Sequence, residues 1–330
     1  MHSLSRWIFL VACLLCAGCG GFTVDARPRT VRADDGWELA TYQLVGPGDL
    51  GAGDRVRASV FYVQGSSDSS VLRMIGQLAG FVMMNMRVVL VERRGVLPDG
   101  RVDEEAARRY ETKERRVGDM TAVMQAYLAG SAPGAPVILV GGSEGGDVAA
   151  SVAVAEPRVT HLALLGTGGG LTQADELRHL VRAHGGYLGI GDAGELDGKL
   201  AEIRARPGSD EMWLGHPFRR WSSYLWRAPV EDLVRLEIPI FLAHGAKDSA
   251  VPVESARAAR DALAARGKRN LRYVEYAALD HSFRDVGSGR SGLPLVELDA
   301  VRWLAETGVL DDADRQRFER RVRRNHPEWF

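Results

Sequence analysis

The fold is decided by residues 137–146, which read Val-Ile-Leu-Val-Gly-Gly-Ser-Glu-Gly-Gly. The first four residues are apolar and mostly β-branched, a composition typical of a buried strand. The run from Asp147 to Ala155 predicts a helix, which Glu156 and Pro157 end. Ser143 therefore lies on a sharp turn between a strand and a helix.

This turn has the features of a nucleophile site. The backbone at Ser143 must be strained, and glycine at positions 141 and 145 removes the clash that side chains would cause there. In the Gly-x-Ser-x-Gly pattern the serine hydroxyl is exposed above the sheet. The backbone N–H of Glu144 and the positive end of the next helix dipole then face the same space and can hold an oxyanion. The alternative is a glycine-rich turn whose serine has no catalytic role.

Length and composition indicate a globular protein. The chain has 330 residues, enough for one large α/β domain or two small ones. Hydrophobic residues make up 45% and charged residues 26% of it, which is ordinary for a soluble domain. The formal net charge of −1 does not favour a nucleic-acid partner.

The N-terminal residues resemble an export signal. The apolar run from Trp7 to Leu15 is too short to span a bilayer. Residues 1–18 are therefore predicted to be a signal peptide. Residues 17–19, Ala-Gly-Cys, resemble the cleavage site of a bacterial lipoprotein, in which Cys19 would carry the lipid. Residues 10–13, Leu-Val-Ala-Cys, are an alternative lipidation site, and a plain secretory signal is a third interpretation.

Cysteine usage agrees with export and lipidation. Cys13, Cys16 and Cys19 are the three cysteines of the chain, and all lie in this N-terminal segment. The mature domain is therefore predicted to have no disulfide, no thiol nucleophile and no cysteine-based metal site. The expected location is the bacterial envelope, at the outer membrane if the source is Gram-negative. Residues 19–30 are polar and irregular and predict a tether.

Strand-like and helical segments alternate along the rest of the chain. Predicted strands flank the turn at residues 34–36 and continue at 56–63, 88–91, 137–140, 159–165, 238–243 and 271–276. Predicted helices span residues 70–85, 104–128 with a break near Gly118, 147–155, 253–266 and 293–305. This alternation predicts an α/β fold with a mostly parallel, doubly wound sheet. Chemistry in such folds lies at the carboxyl ends of the strands.

Residues 171–236 interrupt the alternation and predict a small helical cap. The sheet domain is accordingly assigned to residues 31–170 and 237–308, and residues 309–330 to a charged C-terminal tail. Trp213, Trp221 and Trp226 of the cap are predicted to bind substrate in an apolar pocket above Ser143. Packing of the cap against the sheet is the alternative role of these tryptophans.

Two further motifs follow the last predicted strands. Residues 244–248, His-Gly-Ala-Lys-Asp, come after one strand, and Asp280 and His281 come after the next. A serine nucleophile needs a base, usually histidine, and the base needs an orienting carboxylate. The order Ser143, Asp248, His281 is the chain order of α/β-hydrolases. From Thr30 to Glu306 the chain therefore resembles the α/β-hydrolase superfamily.

The resemblance implies a role for each of these residues. Ser143 would be the nucleophile, Asp248 the orienting acid and His281 the base. Asp280 is expected to hydrogen-bond backbone instead of serving as the acid. Family members usually carry His-Gly after the strand at 56–63, where this chain has Gln64-Gly65-Ser66-Ser67. The oxyanion is assigned to the backbone N–H groups of Glu144 and Ser66.

Together with the lipoprotein-like N-terminal segment, the resemblance implies a membrane-anchored serine hydrolase that needs no cofactor and no metal. Its substrate would be a small acyl compound, and a carboxylic ester is the first choice. The alternative is a peptide bond, as in prolyl peptidases, with Glu144 binding the substrate amine. A non-catalytic envelope binding protein on the same fold is a further alternative.

Overall fold

A computed structural model describes residues 24–46, 56–66, 69–97 and 99–330. The strands are β1 (Asp25–Arg32), β2 (Glu38–Val45), β3 (Ser59–Val63), β4 (Arg87–Val91), β5 (Val137–Gly142), β6 (His161–Leu165), β7 (Met212–Trp213), β8 (His216–Pro217), β9 (Ile240–Gly245) and β10 (Leu271–Tyr276). The helices are α1 (Ile75–Met83), α2 (Glu104–Tyr110), α3 (Lys113–Leu128), α4 (Glu144–Ala155), α5 (Gln173–His184), α6 (Ala193–Ala205), α7 (Phe218–Tyr224), α8 (Val230–Leu233), α9 (Val253–Ala265), α10 (Leu293–Glu306) and α11 (Asp312–Asn325). Short 3₁₀ helices span Val71–Met74 and Pro327–Trp329. The predicted signal peptide and the candidate lipidation sites Cys13 and Cys19 lie outside the described residues.

Eight of these strands form one sheet in the order β1-β2-β4-β3-β5-β6-β9-β10. β2 runs antiparallel to both of its neighbours, β1 and β4. From β4 to β10 every pair is parallel. The predicted doubly wound, mostly parallel sheet is confirmed. None of the helices in the described part of the chain has the length and hydropathy needed to cross a membrane.

The sheet separates two apolar cores, because successive strand residues point to opposite faces. Phe61 and Val63 of β3 pack with α3, α4 and α9 on one face. Val60 and Tyr62 of the same strand pack with α1, α10 and α11 on the other face. The helices on both sides bury β3 along its whole length.

The segment between β6 and β9 forms the cap, at the place where residues 171–236 were predicted to leave the sheet. It consists of α5 to α8 and the antiparallel pair of β7 and β8. Leu196, Leu200, Ile203 and Phe218 form an apolar core within this segment. The cap therefore has an interior of its own beside the two cores of the sheet domain.

The first strand begins earlier than the sequence indicates. β1 starts at Asp25, which pairs with Val45, so residues 25–30 of the predicted tether are part of the sheet. Charged residues alternate with apolar ones here, because this edge strand is exposed along most of its length. The first strand thus begins six positions after Cys19 in the sequence.

The helix predicted for residues 104–128 is two helices, and the prediction of a break at Gly118 is wrong. Gly118 lies inside α3, and the chain breaks at Glu111 and Thr112 instead. The Thr112 side chain accepts a hydrogen bond from the N–H of Arg115 (3.3 Å) and so caps the N-terminus of α3. The start of α3 is therefore set by the N-cap side chain of Thr112 and not by a glycine that weakens the helix.

The predicted C-terminal tail packs against the sheet domain. It forms α11, in which Phe318 and Val322 are buried in the core shared with α1 and α10. These two residues are four positions apart and so lie on one face of the helix. The remaining faces carry the charges that dominate the sequence of this segment.

Candidate active site

Ser143 lies on a strained turn between β5 and α4. Its backbone angles are φ 52° and ψ −130°, and φ therefore lies in the left-handed region. A Cβ at Gly141 would lie 2.5 Å from the Cα of Gly146, and one at Gly145 would lie 2.2 Å from the Val63 carbonyl oxygen. Both distances are too short for any side chain. The glycines of the motif are therefore required because three backbone segments touch here.

The three residues predicted to act together lie within hydrogen-bond distance. Nδ1 of His281 is 2.7 Å from Oδ2 of Asp248, and Nε2 is 3.1 Å from Oγ of Ser143. Oδ1 of Asp248 accepts hydrogen bonds from the N–H groups of Ala250 and Val251, each at 2.8 Å. With Nδ1–H donated to the carboxylate, Nε2 is free to accept the serine proton.

The environment of His281 sets its protonation. Burial lowers the pKa of His281, but the hydrogen bond and negative charge of Asp248 outweigh burial and raise it above its ordinary value. Asp280 adds a smaller effect in the same direction. The predicted role of Asp280 is confirmed, because Oδ1 accepts from the N–H groups of Ser282 (2.9 Å) and Arg284 (2.8 Å).

A second histidine contacts the same carboxylate. His244 is fully buried at the end of β9, and its Nε2 lies 3.1 Å from the Val251 carbonyl and 3.4 Å from Oδ2 of Asp248. The sequence did not reveal this contact, although His244 precedes Asp248 by four positions. His244, Asp248 and His281 are not arranged as metal ligands. No group of three or more such side chains in the described ranges could hold a metal ion.

Two backbone segments border the space in front of Ser143. Glu144 is the first residue of α4, so its N–H has no carbonyl partner within the helix. The loop after β3 lies against the serine, since a Cβ at Gly65 would be 3.2 Å from Cβ of Ser143. Ser66 follows in this loop, but no contact between Ser66 and Ser143 is found among the described residues. Its N–H as the second oxyanion donor remains a prediction.

The side chain of Glu144 is buried beside the turn and faces two arginines. Its Oε1 accepts a hydrogen bond from Nη1 of Arg116 at 2.8 Å, and its Oε2 pairs with Nη2 of Arg220. Arg116 belongs to α3 and Arg220 to α7 of the cap. Because both carboxylate oxygens have arginine partners, this geometry does not support the predicted contact with a substrate amine, which remains a prediction.

A second acid extends this group of charges. Glu111 pairs with Nη2 of Arg93 at 2.6 Å and with Nδ1 of His216 at 3.2 Å. Burial raises the pKa of Glu111, but the hydrogen bond from His216 and the charges around it outweigh burial and lower it. Burial also lowers the pKa of Arg220 to about 10. We call the six residues the seam cluster: Arg93, Glu111, Arg116, Glu144, His216 and Arg220.

A cavity of about 380 Å³ opens beside Ser143 and His281. It runs between α1, α10 and α11, on one face of the sheet, and none of its described lining residues belongs to the cap. Most of its wall is apolar, with side chains from all three helices: Leu78, Phe81, Met84, Val296, Val301 and Phe318. Its volume suits the apolar part of a small ligand.

The three cap tryptophans pack in or against the apolar core of the cap. Trp221 is 8% exposed, and its Nε1–H donates to the Trp213 carbonyl at 2.7 Å. Trp226 packs against the same core, beneath the guanidinium of Arg204 at 4.1 Å from the ring centroid. The described residues that line the cavity beside Ser143 include none of the three. These contacts are those of packing, and substrate binding by the tryptophans remains a prediction.

Comparison with curated proteins finds a partial similarity. The chain is 28% identical over 173 residues to the probable carboxylic ester hydrolase LipM of Mycobacterium tuberculosis. The match covers 52% of this chain and 37% of that protein, so the chain spans well under half of the length of this relative. No protein-family model matches the chain.

Several solved structures have a backbone fold similar to that of this chain. A puromycin hydrolase is similar over 87% of this chain and 40% of its own, with 23% identity and a TM-score of 0.60. A thermophilic esterase from Thermogutta terrifontis is similar over 87% of this chain and 94% of its own, with 21% identity and a TM-score of 0.55. This chain has the α/β-hydrolase fold. In an α/β-hydrolase the nucleophile turn joins a central strand to a helix, as β5 and α4 do here.

The close backbone contacts of this α/β-hydrolase fold predict a strong effect of Gly145→Ala. The added Cβ would lie 2.2 Å from the Val63 carbonyl oxygen and 2.6 Å from that of Gln64. Because neither backbone atom can move freely, we expect a loss of roughly 3 kcal/mol in the free energy of unfolding, measured in urea. Gly118→Ala is the control, since nothing lies within 4 Å of its Cβ position. It is expected to stabilise α3 by about 0.5–1 kcal/mol, and equal effects of the two variants would contradict the steric argument.

Proposed function

We propose that this protein is a serine hydrolase that transfers the acyl group of its substrate first to Ser143 and then to water. The observation that carries the proposal is the pair of hydrogen bonds at His281, 2.7 Å to Asp248 and 3.1 Å to Ser143. Similarity to a probable carboxylic ester hydrolase supports it, and so does the fold shared with an esterase.

The geometry supports a two-step acyl transfer. Oγ of Ser143 attacks the substrate carbonyl carbon while Nε2 of His281 takes the serine proton. Asp248 holds the imidazole in place and stabilises its positive charge. His281 then gives the proton to the leaving group, and a water molecule repeats the attack on the acyl-enzyme. The N–H of Glu144 and a second donor, assigned to Ser66, hold the oxyanion in both steps.

A carboxylic ester is the substrate that the site supports best. The apolar cavity that opens beside Ser143 suits the hydrocarbon part of an acid or an alcohol. The peptide alternative relied on an amine bound by Glu144, whose oxygens pair with Arg116 and Arg220. Esters are therefore the first class to assay, and aminoacyl amides the second.

The triad proposal predicts strongly non-additive losses. Ser143→Ala and His281→Ala should each remove nearly all hydrolysis of p-nitrophenyl butyrate, and the double variant should be little slower, because the residues act as one unit. Asp248→Asn should lower kcat by about 10⁴ because it favours the wrong imidazole tautomer. Asp280→Asn is the matched control. Additive losses, or a larger effect of Asp280→Asn, would overturn the assignment.

Active-site labelling separates this proposal from a non-catalytic binding protein. A fluorophosphonate probe should modify the wild type at Ser143 and leave Ser143→Ala unlabelled. A folded wild-type protein that hydrolyses no ester or amide and takes up no probe would favour the binding protein.

The pKa of His281 predicts the dependence on pH. Only the neutral imidazole accepts the serine proton, and the pKa of His281 is raised above its ordinary value. We therefore expect kcat/KM to fall as the pH drops through a midpoint above about 6.5, the ordinary histidine value. In Asp248→Asn the residual activity should keep its value to lower pH, because the raising effect of Asp248 is gone. A profile that is flat between about pH 5 and 8 would speak against His281 as the base.

The proposal places the enzyme at a membrane through a lipid on Cys19. Its support is the sequence of residues 17–19 after a short apolar run. Since β1 begins at Asp25, the link from Cys19 to the sheet can span at most about 20 Å, which would hold the domain against the lipid surface. Cys19→Ser should move the protein into the soluble fraction, whereas Cys13→Ser should leave it membrane-bound. The reverse result would make Cys13 the lipidated residue.

A further inference from the structure

The cavity beside Ser143 contains an acid that the proposed chemistry does not use. Five residues of α10 line the cavity: Leu293, Val296, Glu297, Ala300 and Val301. Their spacing of three and four positions places them on one face of the helix. Glu297 is the only acid among the described lining residues, and it interrupts a stripe that is otherwise apolar.

The carboxylate of Glu297 has no partner in the described part of the protein. None of the hydrogen bonds or ion pairs found there involves it, and it is not among the residues with further interactions. Most of the cavity wall is apolar and includes Phe81 and Phe318. Glu297 is partly buried, and a carboxylate in apolar surroundings gains from an opposite charge, so a ligand that supplies one would bind favourably.

Few charges compete for this carboxylate. The other ionisable side chains that line the cavity are Tyr62, Arg73 and His281. Arg73 is exposed, while Tyr62 and His281 lie at the Ser143 end. Arg321 of α11 lowers the pKa of Glu297, but burial outweighs it and raises the pKa to about 7.

We propose that Glu297 binds a positively charged group of the substrate. The cavity would then select esters in which an apolar chain joins the reacting carbonyl to an amine or quaternary ammonium group. The same wall contains the aromatic residues Phe81 and Phe318, and aromatic rings are favourable surroundings for such a cation. This inference rests on the proposed function, because the cavity reaches Glu297 from Ser143.

The test compares esters that differ only in charge. One pair varies the alcohol: choline butyrate and 3,3-dimethylbutyl butyrate. The other pair varies the acid: the p-nitrophenyl esters of 6-(trimethylammonio)hexanoate and 7,7-dimethyloctanoate. In each pair a trimethylammonium group replaces a tert-butyl group of the same shape. The triad, including the titration of His281, affects both esters of a pair equally. Its contribution therefore cancels in the ratio of their kcat/KM values.

We expect the ratio of kcat/KM for the cationic ester to that for the neutral ester to be about ten to a hundred in at least one pair, near the low end of the range for a close pair of opposite charges. Glu297→Gln should lower that ratio at least about tenfold, because the amide is isosteric but uncharged. The ratio should also rise between about pH 6 and 8 in the wild type, as Glu297 ionises, and stay flat in the variant. Glu306→Gln is the control, since Glu306 lies on the same helix but is 56% exposed. That change should leave the ratio as it is.

Other outcomes overturn the inference and separate it from the proposed function. If the neutral esters are hydrolysed but the wild-type ratio is one or less in both pairs, or Glu297→Gln leaves it unchanged, Glu297 does not bind a cation and only this inference fails. If no ester is hydrolysed and fluorophosphonate does not label Ser143, both proposals fail. Thermal unfolding verifies that each variant is folded, and Glu297→Met replaces Glu297→Gln if the latter is not.

Discussion

The arrangement of the molecule depends on how closely the backbone packs around Ser143. The turn touches the end of β3 through Gly145 and the Thr167 side chain through Gly146, and neither glycine has space for a Cβ. The N–H of Ser143 also donates to the Leu165 carbonyl at 2.8 Å, which ties the turn to β6. Because three neighbouring parallel strands meet at this point, the loops that follow them converge on one hydroxyl. The strain at the serine is the consequence of this packing.

Asp248 and Glu297 show how the hydrogen-bond donors around a carboxylate determine what it can do. Asp248 accepts hydrogen bonds from two backbone N–H groups and from the imidazole of His281, so its orientation is fixed by the protein. Glu297 lies in an apolar wall with no such donors among the described residues. Both oxygens of the first carboxylate therefore have hydrogen-bond partners within the protein. The second, in our proposal, pairs with a positive charge that the substrate provides.

The sequence revealed those parts of the site that depend on local patterns. Ser143 lies in a glycine-rich turn, and Asp248 and His281 follow strands, so their order along the chain was enough to group them. The cavity was not predictable in this way, because it forms where α1, α10 and α11 meet. The aromatic residues of the cap suggested a pocket there, but Trp213 and Trp221 pack against each other. Glu297 did leave a signal, an acid within an apolar stripe of helical spacing.

The seam cluster has a consequence for how the protein unfolds. The cap contains its own apolar core and would by that measure be an independent folding unit. Yet Arg220 of the cap forms an ion pair with Glu144 of the sheet domain, and His216 of the cap is hydrogen-bonded to Glu111. Separating the two parts would break these polar contacts as well as the apolar packing between them. We therefore expect the cap and the sheet domain to unfold as one cooperative unit, whose amide hydrogens become accessible to solvent together.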